Sequence, residues 1–383
     1  MARKLNILQA TITLGMGGLE SVIMDICRQI DTALFHLDIL CFSPYDPEYE
    51  KTLNKLNIKV HRIERYSRFD FSFFRRIIKL IKELNIDIIH AHSGCFFNMA
   101  LCNAISHRPS LVYTEHGLPL FDDGTPMHAG LKSRLEDKFA AAAASRIFAV
   151  SEEIKENMAG RFPASRKKIA LIANGIDTDK YCPEKNPDKI RGKRKGLGIQ
   201  GDIFTIGSVG RLVKIKNYNI LIEAVSLLNR NNPVPFQLVL VGDGPERKNL
   251  EKLSEEKGIK NRVFFTGVKY DIHEILPCFD VFALPSLTEG TSISLLEAQA
   301  CGIPAVVSDV GGNPGIIKNG FNGYITEVNN ISGLVSGIES IKKNNRAAET
   351  MRKNSRLNVI NNFSTSSMVK TYEKTYLEIS GRK

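Results

Sequence analysis

The sequence has no tryptophan, no cysteine pair spaced Cys-x-x-Cys and no apolar run of about 18 residues. Each absence removes a class of protein. The seven cysteines (27, 41, 95, 102, 182, 278 and 301) are odd in number and scattered, which argues against a disulfide framework and a thiolate zinc site. They read as reduced thiols. Without a long apolar run no segment is expected to span a membrane. The start Met1-Ala2-Arg3-Lys4, followed by a strand interrupted by Asn6 and Gln9, lacks the apolar stretch of a signal peptide. Low-complexity stretches are missing as well, and 43% apolar with 24% charged residues is an ordinary globular balance. The expectation is a folded cytoplasmic protein.

What is present points to two domains. A chain of 383 residues exceeds what one core usually organises. Short β-branched runs alternate with amphipathic helical patterns through most of it, the mark of parallel sheets wound with helices. The first half predicts strands at Leu5–Gln9, Leu37–Phe42, Lys59–Ile63, Ile86–His90, Leu111–Glu115, Arg146–Val150 and Ile169–Ala173. The second predicts strands at Ile203–Val209, Phe236–Val241, Val263–Thr266, Val281–Leu284 and Ala305–Ser308. The fold class is therefore α/β, with two doubly wound, Rossmann-like domains. An N-terminal domain over 1–173 is followed by a linker at 174–200, which opens on Asn174-Gly175-Ile176-Asp177 and carries Pro183, Pro187 and a basic run. A C-terminal domain follows over 201–363, and 364–383 reads as a tail helix crossing back to the first domain. Ligands on such sheets sit beyond the carboxyl ends of the strands, so two facing domains would share one cleft. The net charge of +11 favours anionic partners such as nucleotides, diphosphates or anionic lipid.

Several motifs fall at expected strand ends. Gly15-Met16-Gly17-Gly18 closes the first strand and opens a helix, where backbone amides can approach an anion. The spacing differs from Gly-x-Gly-x-x-Gly and speaks against a dinucleotide dehydrogenase. Thr114-Glu115-His116-Gly117 ends the fifth strand, and the polar loop after it contains Asp122-Asp123-Gly124 and Met127-His128. Gly210-Arg211-Leu212, with Lys214, Lys216 and Asn217 behind it, offers an Arg fork and Lys point charges suited to a diphosphate. In Pro285–Ala298, Gly290, Thr291 and Ser292 would start a helix whose free amides can hold a phosphate. Glu289 and Glu297 could suggest a glycosidase pair. On one helix, however, they would lie about 12 Å apart along the axis and about 80° apart in azimuth, beyond the roughly 5 to 9.5 Å that hydrolysis needs. Glu289 is therefore expected in a loop and Glu297 on the helix after it.

The stretch from Glu289 to Glu297 resembles the Glu-x7-Glu motif of the retaining glycosyltransferases of family 4, which have the GT-B fold. Gly17-Gly18-Leu19-Glu20, His116, Asn174-Gly175-Ile176-Asp177, Gly210-Arg211-Leu212 with Lys216-Asn217, Gly242-Asp243-Gly244-Pro245 and Gly311-Gly312 fall in family order, over about residues 5 to 325. The resemblance implies that Arg211 and Lys216 bind the donor diphosphate and that Glu297 accepts from the ribose hydroxyls. Glu289, with the amides of Gly290, Thr291 and Ser292, would hold the donor sugar and β-phosphate. His116 would contact the transferred sugar, Gly17-Gly18 would close over the phosphates, and the backbone at Val268 would meet the base. It implies a UDP- or GDP-linked sugar, a glycan or lipid-linked glycan acceptor as in surface polysaccharide biosynthesis, and no metal or other cofactor. Many relatives carry Gly after the lysine where this chain has Asn217, so Lys214 and Lys216 both remain candidates for the diphosphate. Two rivals keep a similar architecture: a sugar-nucleotide epimerase and a catalytically inactive accessory protein. Nucleic-acid binding is not expected, since no recognised module is present.

Residues 59–82 hold eight Lys/Arg interleaved with Tyr66, Phe69, Phe71, Phe73 and Phe74. Such a patch would suit peripheral contact with the inner face of a membrane. Phe73, Ile77, Ile78 and Ile81 equally fit the buried stripe of a helix, with the cations as its solvated face.

Overall fold

The structure is a computed structural model that describes residues 3–15, 17–66, 70–106, 109–118, 120, 123, 125, 130–199, 201, 203–232 and 235–382. Met1, Ala2, Met16, Phe69, Asp122, Gly124, Met127 and His128, named above, lie outside the described residues, as does Arg68 of the basic segment. The chain divides into two compact units. The first is built from residues up to Leu118, the stretch ending at Gly175 and the tail from Thr365; the second runs from Ile176 to Ser364 and takes in Asp123 and Thr125.

In the first unit seven strands form one sheet: β1 (Leu5–Thr11), β2 (Phe35–Cys41), β3 (Lys59–Arg62), β4 (Ile88–His92), β5 (Ser110–Glu115), β6 (Arg146–Ala149) and β7 (Ile169–Leu171). Their order is β3-β2-β1-β4-β5-β6-β7, and every pairing is parallel. Helices cover both faces of such a sheet, so its central strands are buried almost throughout; β4 is buried at all five positions. The reversal of strand order lies between β1 and β4, which is where ligands bind in doubly wound sheets. The helix Thr365–Ile379 packs on this unit, as the tail pattern predicts. Its Tyr372 and Tyr376 are fully buried, and Tyr376 meets the edge of Phe35 with ring centroids 5.9 Å apart.

The second unit repeats the plan with six strands: β8 (Phe204–Val209), β9 (Phe236–Val241), β10 (Val263–Gly267), β11 (Val281–Leu284), β12 (Ala305–Ser308) and β13 (Gly323–Thr326). The order β10-β9-β8-β11-β12-β13 is again parallel, with the reversal between β8 and β11. Part of the stretch read as linker carries structure of its own. Asn186 caps the helix Pro187–Gly196 by accepting from Asp188 and Lys189, while Ile176, Tyr181 and Ile199 enter the core of the second unit. Among the described residues no helix is long and apolar enough to cross a membrane.

The basic segment divides as its periodicity allows. Asp70 caps the helix Phe71–Glu83, which buries Phe73, Ile77 and Ile81, so these belong to the core. Phe71 and Tyr66 remain 81% and 76% exposed. Arg65, Arg75, Lys79 and Lys82 also stay in solvent, and the Arg76 guanidinium lies 5.0 Å from the Tyr66 ring.

Candidate functional site

Five strand-end loops of the second unit are joined by backbone contacts into one rim. After β8, Gly210 N–H donates to Val241 of β9 at 2.9 Å, and Leu212 N–H donates to Asp243 at 2.9 Å. Gly242 N–H in turn donates to Gly267 at the end of β10, at 3.0 Å. Leu287, after β11, donates to Ile215 at 2.8 Å, and Gly312, after β12, donates to Gly290 at 2.7 Å. The glycines make this closeness feasible. A Cβ on Gly242 would stand 2.0 Å from the Gly210 carbonyl oxygen, and one on Gly244 would stand 2.4 Å from that of Leu212.

On this rim the structure brings Lys216 and Glu289 together, though 73 residues separate them. Lys216 Nζ donates to Glu289 Oε1 at 2.6 Å, and the Ser286 hydroxyl donates to the same oxygen at 2.6 Å. The two charged side chains are only 18% and 9% exposed. Glu289 stands in the loop and Glu297 on the helix Ile293–Ala300, as expected, with Glu297 buried. Ser292 caps that helix by accepting from Leu295 N–H at 3.4 Å, so the helix amides open beside Gly290 and Thr291. Arg211 is exposed on the rim after β8, and Val268, 48% exposed, follows β10. Lys214 is exposed; hydrogen bonds from Thr125 hold the Asp123 carboxyl below the usual range, with a smaller contribution from Lys214.

Asn217 holds a backbone conformation that Gly and Asn adopt most readily. Its backbone is left-handed, with φ 57°. Its side-chain nitrogen donates to the Pro285 carbonyl at 3.2 Å and to Asn329 Oδ1 at 2.9 Å, tying the lysine turn to the start of the Glu289 loop. Asn217→Ala should therefore lose one buried and one part-buried hydrogen bond and add left-handed strain, for a loss of about 2–3 kcal/mol. Asn217→Gly keeps the conformation and should cost about 1 kcal/mol less. Denaturant unfolding of the two variants checks the order, and equal losses would show that conformation is not what the position demands.

The first unit supplies His116, directly after β5. Its neighbours at the adjoining strand ends escaped the sequence reading: His92 closes β4, and Gln9 stands in β1. His92 Nδ1 lies 2.9 Å from His116 Nε2, and His92 Nε2 lies 2.8 Å from Gln9 Oε1. The signal was the polar residues Gln9, His90, His92 and Thr114 inside otherwise apolar strands, all on one face by the alternation of side chains. On the other face Glu115 accepts from Ser93 at 2.6 Å and from Tyr113 at 2.7 Å, and burial raises its carboxyl pKa despite these bonds. Ser93 also accepts from His116 N–H at 2.9 Å. Gly17 precedes the helix Gly18–Gln29, and a Cβ there would stand 2.3 Å from Glu20 Oε2. Among the described residues no group of three or more His, Cys, Asp or Glu is placed to hold a metal ion.

Residues 16–180 match a family model described as Glycosyltransferase Family 4, and residues 189–358 match one described as Glycosyl transferases group 1. Over 309 residues, 79% of this chain and 78% of the relative, the sequence is 31% identical to UDP-Gal:alpha-D-GlcNAc-diphosphoundecaprenol alpha-1,3-galactosyltransferase of Escherichia coli. It is 25% identical to N-acetyl-alpha-D-glucosaminyl L-malate synthase of Bacillus anthracis, over 85% of this chain and 84% of that one. Among solved structures, a glycosyltransferase of Rickettsia africae superposes with a TM-score of 0.84 at 21% identity, covering 99% of both chains. Anabaena HepE, solved with UDP-glucose, superposes with a TM-score of 0.82 at 23% identity, covering 97% of this chain and 99% of that one. Both share the fold.

Proposed function

The chain belongs to the glycosyltransferases whose two halves carry the Family 4 and group 1 domains, and from that membership we propose that it is a retaining enzyme moving a sugar from a UDP-sugar onto a lipid-linked glycan. The observation that carries the reading is the Lys216–Glu289 pair on the rim of the second unit, beside the amides opened by Ser292. Lys216 and Arg211 neutralise the diphosphate, while the helix amides hold the β-phosphate. Glu297 accepts from the ribose, the backbone at Val268 meets the base, and Gly17-Gly18 gives the phosphates close access to backbone. With Lys216 drawn to the diphosphate, Glu289 is left to accept from hydroxyls of the sugar, and the role proposed for His116 is contact with the transferred sugar. In the transfer step the bond from the anomeric carbon to the diphosphate oxygen breaks and the acceptor oxygen bonds on the same face. The acceptor's proton passes to the departing phosphate, so the protein's contribution is positioning and charge stabilisation.

The donor and acceptor classes follow the 31%-identical relative, whose name joins a UDP-sugar to a diphosphoundecaprenol acceptor. The test is transfer from UDP-galactose, UDP-glucose or GDP-mannose to a detergent-solubilised, diphosphate-linked GlcNAc lipid, with the product's anomeric configuration read by NMR. Retention with a UDP-sugar, unaffected by exhaustive chelation, is expected. Inversion, a strict need for added manganese or magnesium, or conversion of the UDP-sugar to its epimer without acceptor would each overturn the corresponding part of the proposal.

The exposed cations and aromatics of 59–82 fit a lipid-linked acceptor, and the neighbouring helices add exposed apolar groups at Ile105, Leu131 and Leu135. Peripheral binding to anionic vesicles is expected, falling with salt. At about 1 kcal/mol for each basic side chain, Arg65→Ala, Arg75→Ala and Lys79→Ala together should weaken sedimentation on the order of a hundredfold. Failure to bind at low salt would point to a soluble acceptor.

A further inference from the structure

A row of hydrogen bonds crosses one buried face of the first unit and ends on His116. The Gln9 amide nitrogen donates to the Tyr376 hydroxyl at 3.3 Å, so its oxygen is the acceptor facing His92 Nε2 at 2.8 Å. His92 therefore carries its proton on Nε2, and its bare Nδ1 accepts from His116 Nε2 at 2.9 Å. On the other branch the Tyr376 hydroxyl lies 2.6 Å from His90 Nδ1 and Thr114 Oγ1 lies 2.7 Å from His90 Nε2, a pattern that is complete when the hydroxyl donates to His90 and His90 donates to Thr114. Each group in the row then has a complementary partner. His116 Nδ1 alone is left over: it is buried and has no partner among the described residues, the kind of exception that calls for an explanation.

We propose that Gln9 and His92 are positioning residues that fix His116 as the neutral tautomer protonated on Nε2, leaving Nδ1 as a bare acceptor for a hydroxyl of the transferred sugar. This rests on the reading that His116 contacts that sugar. Burial supports neutrality across the row: it pushes His90 and His116 down to about 3 and His92 well below its usual value. A neutral acceptor also suits the chemistry, because an imidazolium would repel the positive charge that grows on the sugar ring as the diphosphate leaves. The backbone is held from the opposite face, where His116 N–H donates to Ser93 and Ser93 to Glu115. Tyr376 brings the C-terminal helix into the same device, since its hydroxyl sets which end of the Gln9 amide faces His92.

Long-range proton–nitrogen spectra of the full-length, ligand-free protein test the tautomer directly: His116 should show a protonated Nε2 and an unprotonated Nδ1. Gln9→Glu keeps an acceptor before His92 and should keep that signature. Gln9→Leu should lose it and lower kcat with UDP-galactose about tenfold to a hundredfold at unchanged UDP affinity, the range seen when a histidine's orienting partner is removed. Tyr376→Phe frees the amide to turn and should mix the two tautomers. His92→Asn, whose Oδ1 can stand where Nδ1 stood, should outperform His92→Phe. A proton on His116 Nδ1 in the unaltered protein, or Gln9→Leu with unchanged tautomer and rate, overturns the inference. His116→Ala separates the two readings: full activity there removes the sugar contact itself, whereas an impaired His116→Ala beside fully active Gln9 and His92 variants removes only the positioning role.

Discussion

Lys216→Ala is expected to lower transfer by about two to three orders of magnitude, the usual consequence of deleting a charge that stabilises a leaving group in a preorganised site. The variant loses twice. The diphosphate forfeits a cation, and Glu289, 9% exposed, keeps only the Ser286 hydroxyl on its Oε1 among the described residues. Removing one member of a buried pair costs about 3–5 kcal/mol of stability, most of it the uncompensated charge that remains. Glu289→Gln in the same background should recover part of that stability without recovering transfer, so the double variant will be less damaged than the singles sum to. Lys214→Ala, on an exposed side chain, should change both quantities little. Thermal melting with and without UDP, together with transfer rates, decides the matter. Equal losses from Lys214→Ala and Lys216→Ala would mean that the ion pair is incidental to diphosphate binding.

The parts of this site that could be read from the chain are those where local chemistry and strand position coincide. His116, Lys216 and Glu289 each closely follow a short strand pattern rich in apolar residues, so the doubly wound plan alone puts them at carboxyl ends. Of the thirteen strands among the described residues, twelve are visible for the same reason. The exception is β13, the four residues Gly323–Thr326, whose apolar content is one Tyr and one Ile. The helix Pro187–Gly196 buries no residue, so it shows no apolar stripe, although Asn186-Pro187 is a good helix start. Long-range pairings were out of reach. Gln9 and His92 are 83 positions apart, and their meeting depends on a register that sets Gln9 opposite His90. The pairing of Lys216 with Glu289 is invisible in sequence for a related reason, since it depends on a left-handed residue, Asn217, whose side chain reaches Pro285.

Gly311→Ala should be among the most damaging single-methyl changes in the second unit. Gly311 sits at φ +57°, and its added Cβ would stand 2.0 Å from the Glu289 carbonyl oxygen and 2.6 Å from the carbonyl carbon. The obstruction is backbone rather than the end of a flexible side chain. Relief therefore requires the Glu289-Gly290 loop to move, and Gly290 is held from the same side by the Gly312 N–H at 2.7 Å. The left-handed conformation costs an alanine about 1–2 kcal/mol, and overpacking adds about 1–3 kcal/mol. Displacement of the loop also draws Glu289 away from Lys216, so transfer should fall about a hundredfold or more, as misplacement by about an ångström typically costs. Gly320 supplies the control. It has φ +72° and nothing within 4 Å of the added Cβ, so Gly320→Ala carries the conformational strain without the collision. That variant should lose about 1–2 kcal/mol and keep its transfer rate. Should Gly311→Ala prove no more costly than Gly320→Ala in denaturant unfolding and turnover, the close approach of the β12 loop to Glu289 would not be what holds the site in shape.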